Sequence, residues 1–258
     1  MKKTKIIRAI GGIDDDLVER AGQKNIKKRK SFMSWLKWAV PVAACFLVAV
    51  WVALPLLNSS GDFDLIQSSG VSVRRINNPP NIQSSSSLAH LTEEELFAER
   101  TKYGGNKIFI FEGIIREIHN IEIDFNGHSV YRAFTKIEVT DVIRGNMKQG
   151  DIVSILLPAP IRMKGLWVSE TEVISHMKSG MKGFFMPFVY DETSIIEMNG
   201  ATLVLSEIAE YGLADGERWA FLETSNGLVF ARWAYESIAD AETLDEIRQY
   251  INTMIGQN

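Results

Sequence analysis

A chain of 258 residues, 46% hydrophobic and 10% aromatic, is long and apolar enough to bury a core, and its single cysteine, Cys45, excludes disulfides within the chain, zinc ribbons and Cys–Cys redox motifs. The formal charge of −4 hides a split: residues 1–37 carry eleven Lys/Arg against four Asp/Glu, and residues 58–258 carry seventeen against twenty-eight. A C-terminal part of net −11 repels phosphates, which argues against nucleic acid as a partner.

The chain opens with a basic arm, residues 1–37. Asp14 reads as an N-cap with Asp15 and Asp16 in the first turn, predicting a two-turn helix over residues 14–21. Ile6, Ile10, Ile13 and Leu17 form an apolar stripe at helical spacing, and Ile13 and Val18 stand at the staple positions. Such an arm either lies on a membrane surface as a leader or folds, helix in groove, on a cytoplasmic partner. In the second case the contact residues are Ile10, Ile13, Leu17 and Val18.

Residues 38–57, WAVPVAACFLVAVWVALPLL, contain no charge. Twenty helical residues span about 30 Å, the thickness of a bilayer's hydrocarbon core, so a transmembrane helix is expected. The block Lys27-Lys28-Arg29-Lys30 lies on one side only, which places the arm in the cytoplasm and the C-terminal part outside the cell membrane. The run ends Leu54-Pro55-Leu56-Leu57 rather than in a small-residue exit, and continues twelve residues past Cys45, so neither signal cleavage nor lipidation is expected. An exported part without cysteine points to a bacterial envelope. The Ile13-Asp-Asp-Asp-Leu-Val segment, the basic block, Trp35-Leu-Lys-Trp38 and the single span together resemble the leaders of uncharacterised single-pass proteins of low-GC Gram-positive bacteria. Some of these are taken for anti-sigma-like regulators, and the resemblance implies a sigma factor or other regulator as cytoplasmic partner.

Residues 58–87, rich in Ser with Pro79-Pro80, read as a disordered linker. Thr92 and Glu95 make a capping box, with Leu91 and Leu96 as its staple, for a helix over residues 92–103 that stops at Gly104-Gly105. Strands follow. Residues 107–123 form one with a bulge at Gly113, and Asp124-Phe125-Asn126-Gly127 turns it into a return strand. Along that strand Tyr131, Ala133, Thr135, Ile137 and Val139 share one face, with Arg132, Lys136 and Glu138 on the other. Further strands are expected at 152–157, 184–190, 201–208, 219–222 and 228–233. A second box, Thr243 and Glu246, opens a closing helix with Leu244, Ile247, Ile251, Met254 and Ile255 on one face.

The expected fold class is thus a membrane-anchored α+β protein, mostly β, whose exported part is a small OB-like barrel with flanking helices. Phe111-Glu112-Gly113, Val142-Ile143-Arg144-Gly145, Gly150-Asp151-Ile152-Val153 and Gly180-Met181-Lys182-Gly183-Phe184-Phe185 resemble the netrin/tissue-inhibitor type of OB barrel, without its cysteines. The resemblance implies a fold and carries over no inhibitory wedge.

No nucleotide-binding, nucleophile-elbow or zinc-protease motif occurs, so no catalytic residue and no cofactor is assigned. His119 and His128 flank the 124–127 turn and are weighed as metal ligands, but solvated hairpin residues are the plainer reading. Met177, Met181, Met186 and Trp167 are either groove lining or core. Two functions fit: a transmembrane regulator whose exported domain senses an extracytoplasmic ligand or state while its arm holds a partner, or a tethered binding or scaffolding module without signalling.

Overall fold

Two short strands already join the sheet inside the segment expected to be a disordered linker. β1 (Gln67–Ser68) turns through Gly70, φ +90°, into β2 (Val71–Ile76). That correction has a simple cause. Val71 and Val73, 2% and 4% exposed, alternate with exposed Ser72 and Arg74, so one face of the strand buries on its neighbour. The computed structural model describes residues 67–68, 70–77, 83–84, 88–102, 104–161, 167–168 and 170–256. The arm with Ile10, Ile13, Leu17 and Val18, the span 38–57 and the side chain of Trp167 lie outside these residues. Among the described residues no helix is long and apolar enough to cross a membrane.

β3 (Gln83–Ser84) is followed by α1 (Glu93–Leu96), which starts on the expected capping box: Thr92 Oγ1 accepts the Glu95 N–H at 3.3 Å, and Glu95 Oε2 accepts the Thr92 N–H at 3.1 Å. The helix ends at Leu96, seven residues before the expected stop. Leu96 and Phe97 drop into the core, and the Arg144 guanidinium takes the carbonyls that another turn would have used. Nη1 donates to Phe97 O at 2.8 Å, Nη2 to Ala98 O at 2.9 Å and Nε to Ile108 O at 3.1 Å. A side chain that supplies these donors replaces helix with a fixed bend.

The main ladder is β4 (Ile110–Phe125) against β5 (His128–Arg144), joined by Asn126-Gly127 at φ 49° and 88°. Its register shifts at Ile110/Phe111, Glu112/Gly113 and Ile115/Glu117. These bulges bend the hairpin, so its two halves face different surroundings. β6 (Ile152–Leu157) lies antiparallel to β5, and β7 (Trp167–Val168) pairs with β3. After α2 (Glu172–Ser175), the expected single strand over 184–190 is two: β8 (Lys182–Phe185) and β9 (Phe188–Val189). Pro187 has no N–H to continue a ladder, and the pieces take different partners, β8 pairing with β4 and β9 with a later strand.

The expected strand over 201–208 is instead the second half of a hairpin, β10 (Ile195–Met198) and β11 (Ala201–Val204), turning on Asn199-Gly200, with a 3-10 turn at 205–207. β12 (Tyr211–Gly212) runs parallel to β6 and antiparallel to β9. β13 (Ala220–Thr224) and β14 (Gly227–Val229) form the last hairpin, and 3-10 turns replace the expected strand from residue 230 onward. α3 (Leu244–Gly256) carries the second capping box and buries Leu244, Ile247, Ile251 and Met254.

The protein is mostly β with few helices. The sheet order β14–β13–β8–β4–β5–β6–β12–β9, with β2 on β4, curls into a half-barrel. A bridge from Ile108 to Phe188 brings β9 back beside the start of β4. The larger core fills this curl and includes Phe111, Ile137, Phe184, Phe221, Ile247, Met177 and Met186, so those two methionines are core. A second core, around Val71, Ile123, Phe125, Phe134 and Leu203, sits on the outer half of the β4–β5 hairpin.

Replacing Arg144 by Met should leave three part-buried carbonyls without donors. The expected loss is about 2–4 kcal/mol, a fall of roughly 4–16 °C in melting temperature for a domain of this size. Lys should recover only part of it, because it lacks the planar fork. Thermal unfolding followed by circular dichroism checks both; an unchanged midpoint for Met would show that the three bonds are dispensable.

Candidate functional site

Pro158 stops a ladder. It has no N–H, and the β5–β6 register ends one residue earlier, at Leu157 opposite Ala133. The chain beyond is drawn aside by Asn120, whose amide bonds Ile161 twice, Nδ2 to the carbonyl and Oδ1 to the N–H, both at 2.8 Å. Residues 128–132 of β5 therefore pair only with β4 among the described strands. The space beside them is a cleft of about 780 Å³.

Its floor is Ser129 to Arg132, one wall is Pro158 to Pro160, and the facing wall is Ala214 to Trp219 together with residues near Leu88. A buried polar network fixes the facing wall. Asp215 Oδ1 accepts the N–H groups of Glu217 at 3.0 Å and Arg218 at 2.9 Å. Its Oδ2 accepts Arg218 Nη2 at 2.8 Å, Arg218 Nε at 3.0 Å and Trp219 Nε1 at 2.7 Å. Arg218 reaches on to Ala89 O at 2.8 Å, and the Tyr235 hydroxyl donates to Arg218 O. Asp215 and Arg218 are 6% and 4% exposed, yet each is paired and bonded, so this ion pair is a structural brace.

Charges at the cleft are mostly matched. Lys102 pairs with Glu95 at 2.5 Å, and Glu170 accepts the Leu88 N–H at 2.6 Å. Arg132, expected on an outward polar face, is half-buried, and Nη1 donates to Tyr131 O at 3.3 Å. Burial pushes its guanidinium below the usual range. Tyr190, nearby, has its hydroxyl pushed up to about 12 by burial, against the pull of Arg132, and so is neutral at physiological pH. The Tyr190 ring lies over Gly212, where any Cβ would collide with it, and meets Phe188 edge-on at 5.2 Å.

Behind the wall, Glu217 is 7% exposed and accepts the Glu172 N–H at 2.8 Å, at the start of α2. Burial raises its pKa above 4.5; the Glu172 N–H pulls the other way, and the Glu172, Asp215 and Glu170 carboxylates add to the rise.

The weighed histidines do not meet. His119 lies opposite Phe134 and His128 opposite Phe125, at different heights of the hairpin. His119 Nε2 is 3.4 Å from Glu117 Oε2, and burial followed by nearby Arg75 lowers its pKa. No cluster of three ligating side chains occurs among the described residues. The cleft itself was missed in the sequence reading. The available signal was Pro158-Ala159-Pro160 at the end of a strand. No family model, curated protein or solved structure matches this chain.

Glu217 gives a pH signature. The folded state takes up its proton at a higher pH than the unfolded chain, so stability is gained as pH falls through the raised value, and the gain is complete below 4.5. Above that raised value the ionised, buried carboxylate is a cost. Glu217→Gln keeps an acceptor for Glu172 and should melt higher than the natural protein at pH 7, with the gap closing as pH approaches 4.5. Melting curves from pH 7 to 4 check this; a constant gap would remove Glu217 as the cause.

Proposed function

We propose that the chain is a membrane-tethered, extracytoplasmic ligand-binding module, with the cleft beside β5 as its binding site. The observation that carries this reading is the cleft: a preformed concavity of about 780 Å³, within the size range of small-molecule sites, braced by the Asp215–Arg218–Trp219 network. Its lining mixes apolar residues such as Pro160 and Trp219 with polar and charged ones such as Ser129 and Arg132, so it offers both apolar surface and hydrogen-bonding groups to a ligand. Binding rather than catalysis is proposed because, among the described residues, Lys102 with Glu95 and Arg218 with Asp215 are held in ion pairs at the cleft.

For the fold, we read the half-barrel as an OB-type barrel. In its favour are the meander β4–β5–β6, the parallel pairing of β6 with β12, the antiparallel β12–β9 pair, and the Ile108–Phe188 bridge back to the first strand. Tethering by residues 38–57, with the N-terminus cytoplasmic, rests on the charge-free run and the one-sided basic block. A second reading makes the module the sensor of a transmembrane regulator. It is favoured by the apolar stripe Ile10, Ile13 and Leu17 with Val18, which suits a cytoplasmic partner such as a sigma factor.

Ala214 is exposed and lines the cleft, so Ala214→Trp fills the space without touching the core. In a thermal-shift screen of small metabolites on the full chain, compounds that raise the melting temperature should lose that effect in Ala214→Trp. Ligands that stabilise both proteins equally would place binding elsewhere. For topology, protease added to intact protoplasts should digest residues 88–258 and spare the arm; survival of that domain would overturn both the tethered module and the regulator, since both need the same orientation.

A further inference from the structure

Among the described residues the cleft holds a cation, Arg132, without an ion-pair partner. Arg218 has Asp215, and Lys102 has Glu95. Arg132, half-buried in the floor, has no carboxylate at ion-pair distance among the described residues. A half-buried guanidinium has lost part of its water, so an anion that reaches it meets a cation already partly desolvated. Nη1 is turned back to Tyr131 O, while Nε and Nη2 have no hydrogen-bond partner among the described residues. The Nε–Nη2 edge is the side of a guanidinium that takes two oxygens of one oxyanion in parallel. Tyr190 is a neutral phenol and cannot serve as counter-ion. Pro158, Pro160 and Phe188 line the cleft with Arg132 and offer apolar surface to the rest of a ligand.

We propose that Arg132 is the anion-recognition residue of the cleft, its Nε–Nη2 edge holding a carboxylate or phosphate group of a ligand whose apolar body lies against Pro158, Pro160 and Phe188. The inference rests on the cleft being the binding site.

Equilibrium dialysis of the purified full chain tests it with three probes that share one aromatic body: 3-(4-nitrophenyl)propionate, 4-nitrobenzylphosphonate and the neutral 3-(4-nitrophenyl)propionamide. The natural protein should bind at least one anion about tenfold or more tighter than the amide. Which anion wins separates a carboxylate from a phosphate ligand. Arg132→Met should abolish that preference and leave the amide unchanged, and Arg132→Lys should restore part of it. Because the natural side chain is unpaired, Arg132→Met should melt no lower than the natural protein in the absence of probe. A marked fall in melting temperature would make Arg132 structural and overturn the proposal. So would equal binding of anions and amide, or a preference that survives in Arg132→Met. Ala214→Trp tells the two failures apart. If it removes probe binding while anion preference is absent, the cleft stands and the role of Arg132 falls. If it leaves binding unchanged, or no probe binds the natural protein, both fall.

Discussion

Gly113 has no room for a side chain. A Cβ there would lie 2.6 Å from Ile137 Cγ2 and 2.7 Å from Glu138 O. The backbone of β4 approaches β5 this closely where the register slips, and the slip bends a hairpin that would otherwise run nearly flat for fifteen rungs. Below the bend β4 pairs with β8 and faces the larger core; above it β4 pairs with β2 and faces the smaller one. One edge of one strand thus serves two neighbours in sequence. The bend of the half-barrel and the satellite core both follow from that division.

Between the elements, arginines take over where ladders stop. Arg144 satisfies the carbonyls released by the early end of α1, and Arg218 ties the cleft wall to Ala89. Arg232 donates to Leu228 O, Ala239 O and Ala241 O at the last hairpin. Arg144 and Arg232 each supply several donors to backbone carbonyls, and Arg218 adds one to its pair with Asp215, which helps meet the demand that buried carbonyls be paired without extending a helix or strand. Arg132 differs from these three in spending one donor on the backbone and keeping an edge free.

The legible parts of the fold were those fixed by local chemistry. Both capping boxes, the Asn126-Gly127 turn, the Gly113 bulge, the limits of β6 and the buried face of Ala133, Thr135, Ile137 and Val139 all depend on residues within a turn or on simple alternation. What escaped depends on distant partners. The stop at Leu96 is set by Arg144, forty-eight positions on; the break at Pro187 by β8 and β9 joining different strands. Val71 and Val73 sit in a Ser-rich stretch whose composition masks a strand that only a pre-existing β4 can hold. Phe134 was passed over because its own face alternates with charges, and the core it enters is built from β2 and β11. The cleft is likewise non-local: residues 129–132, 158–160, 214–219 and those near Leu88 come from four separate stretches, and Arg132 on the same strand as Lys136 and Glu138 looks solvated in one dimension.

The end of the sheet bears on self-association. A ten-stranded sheet offers outer strands on which a second chain could continue the hydrogen-bonding, the usual route to fibrous aggregation. Here the β14 margin is three residues long, runs straight into a 3-10 turn, and has its Leu228 carbonyl occupied by Arg232. On the other flank β2 is covered by β1 for two residues and carries the cation of Arg74 beyond them. Among the described residues neither of these two margins gives a visiting strand a long continuous row of free donors and acceptors, so these edges are poor templates for edge-to-edge polymerisation.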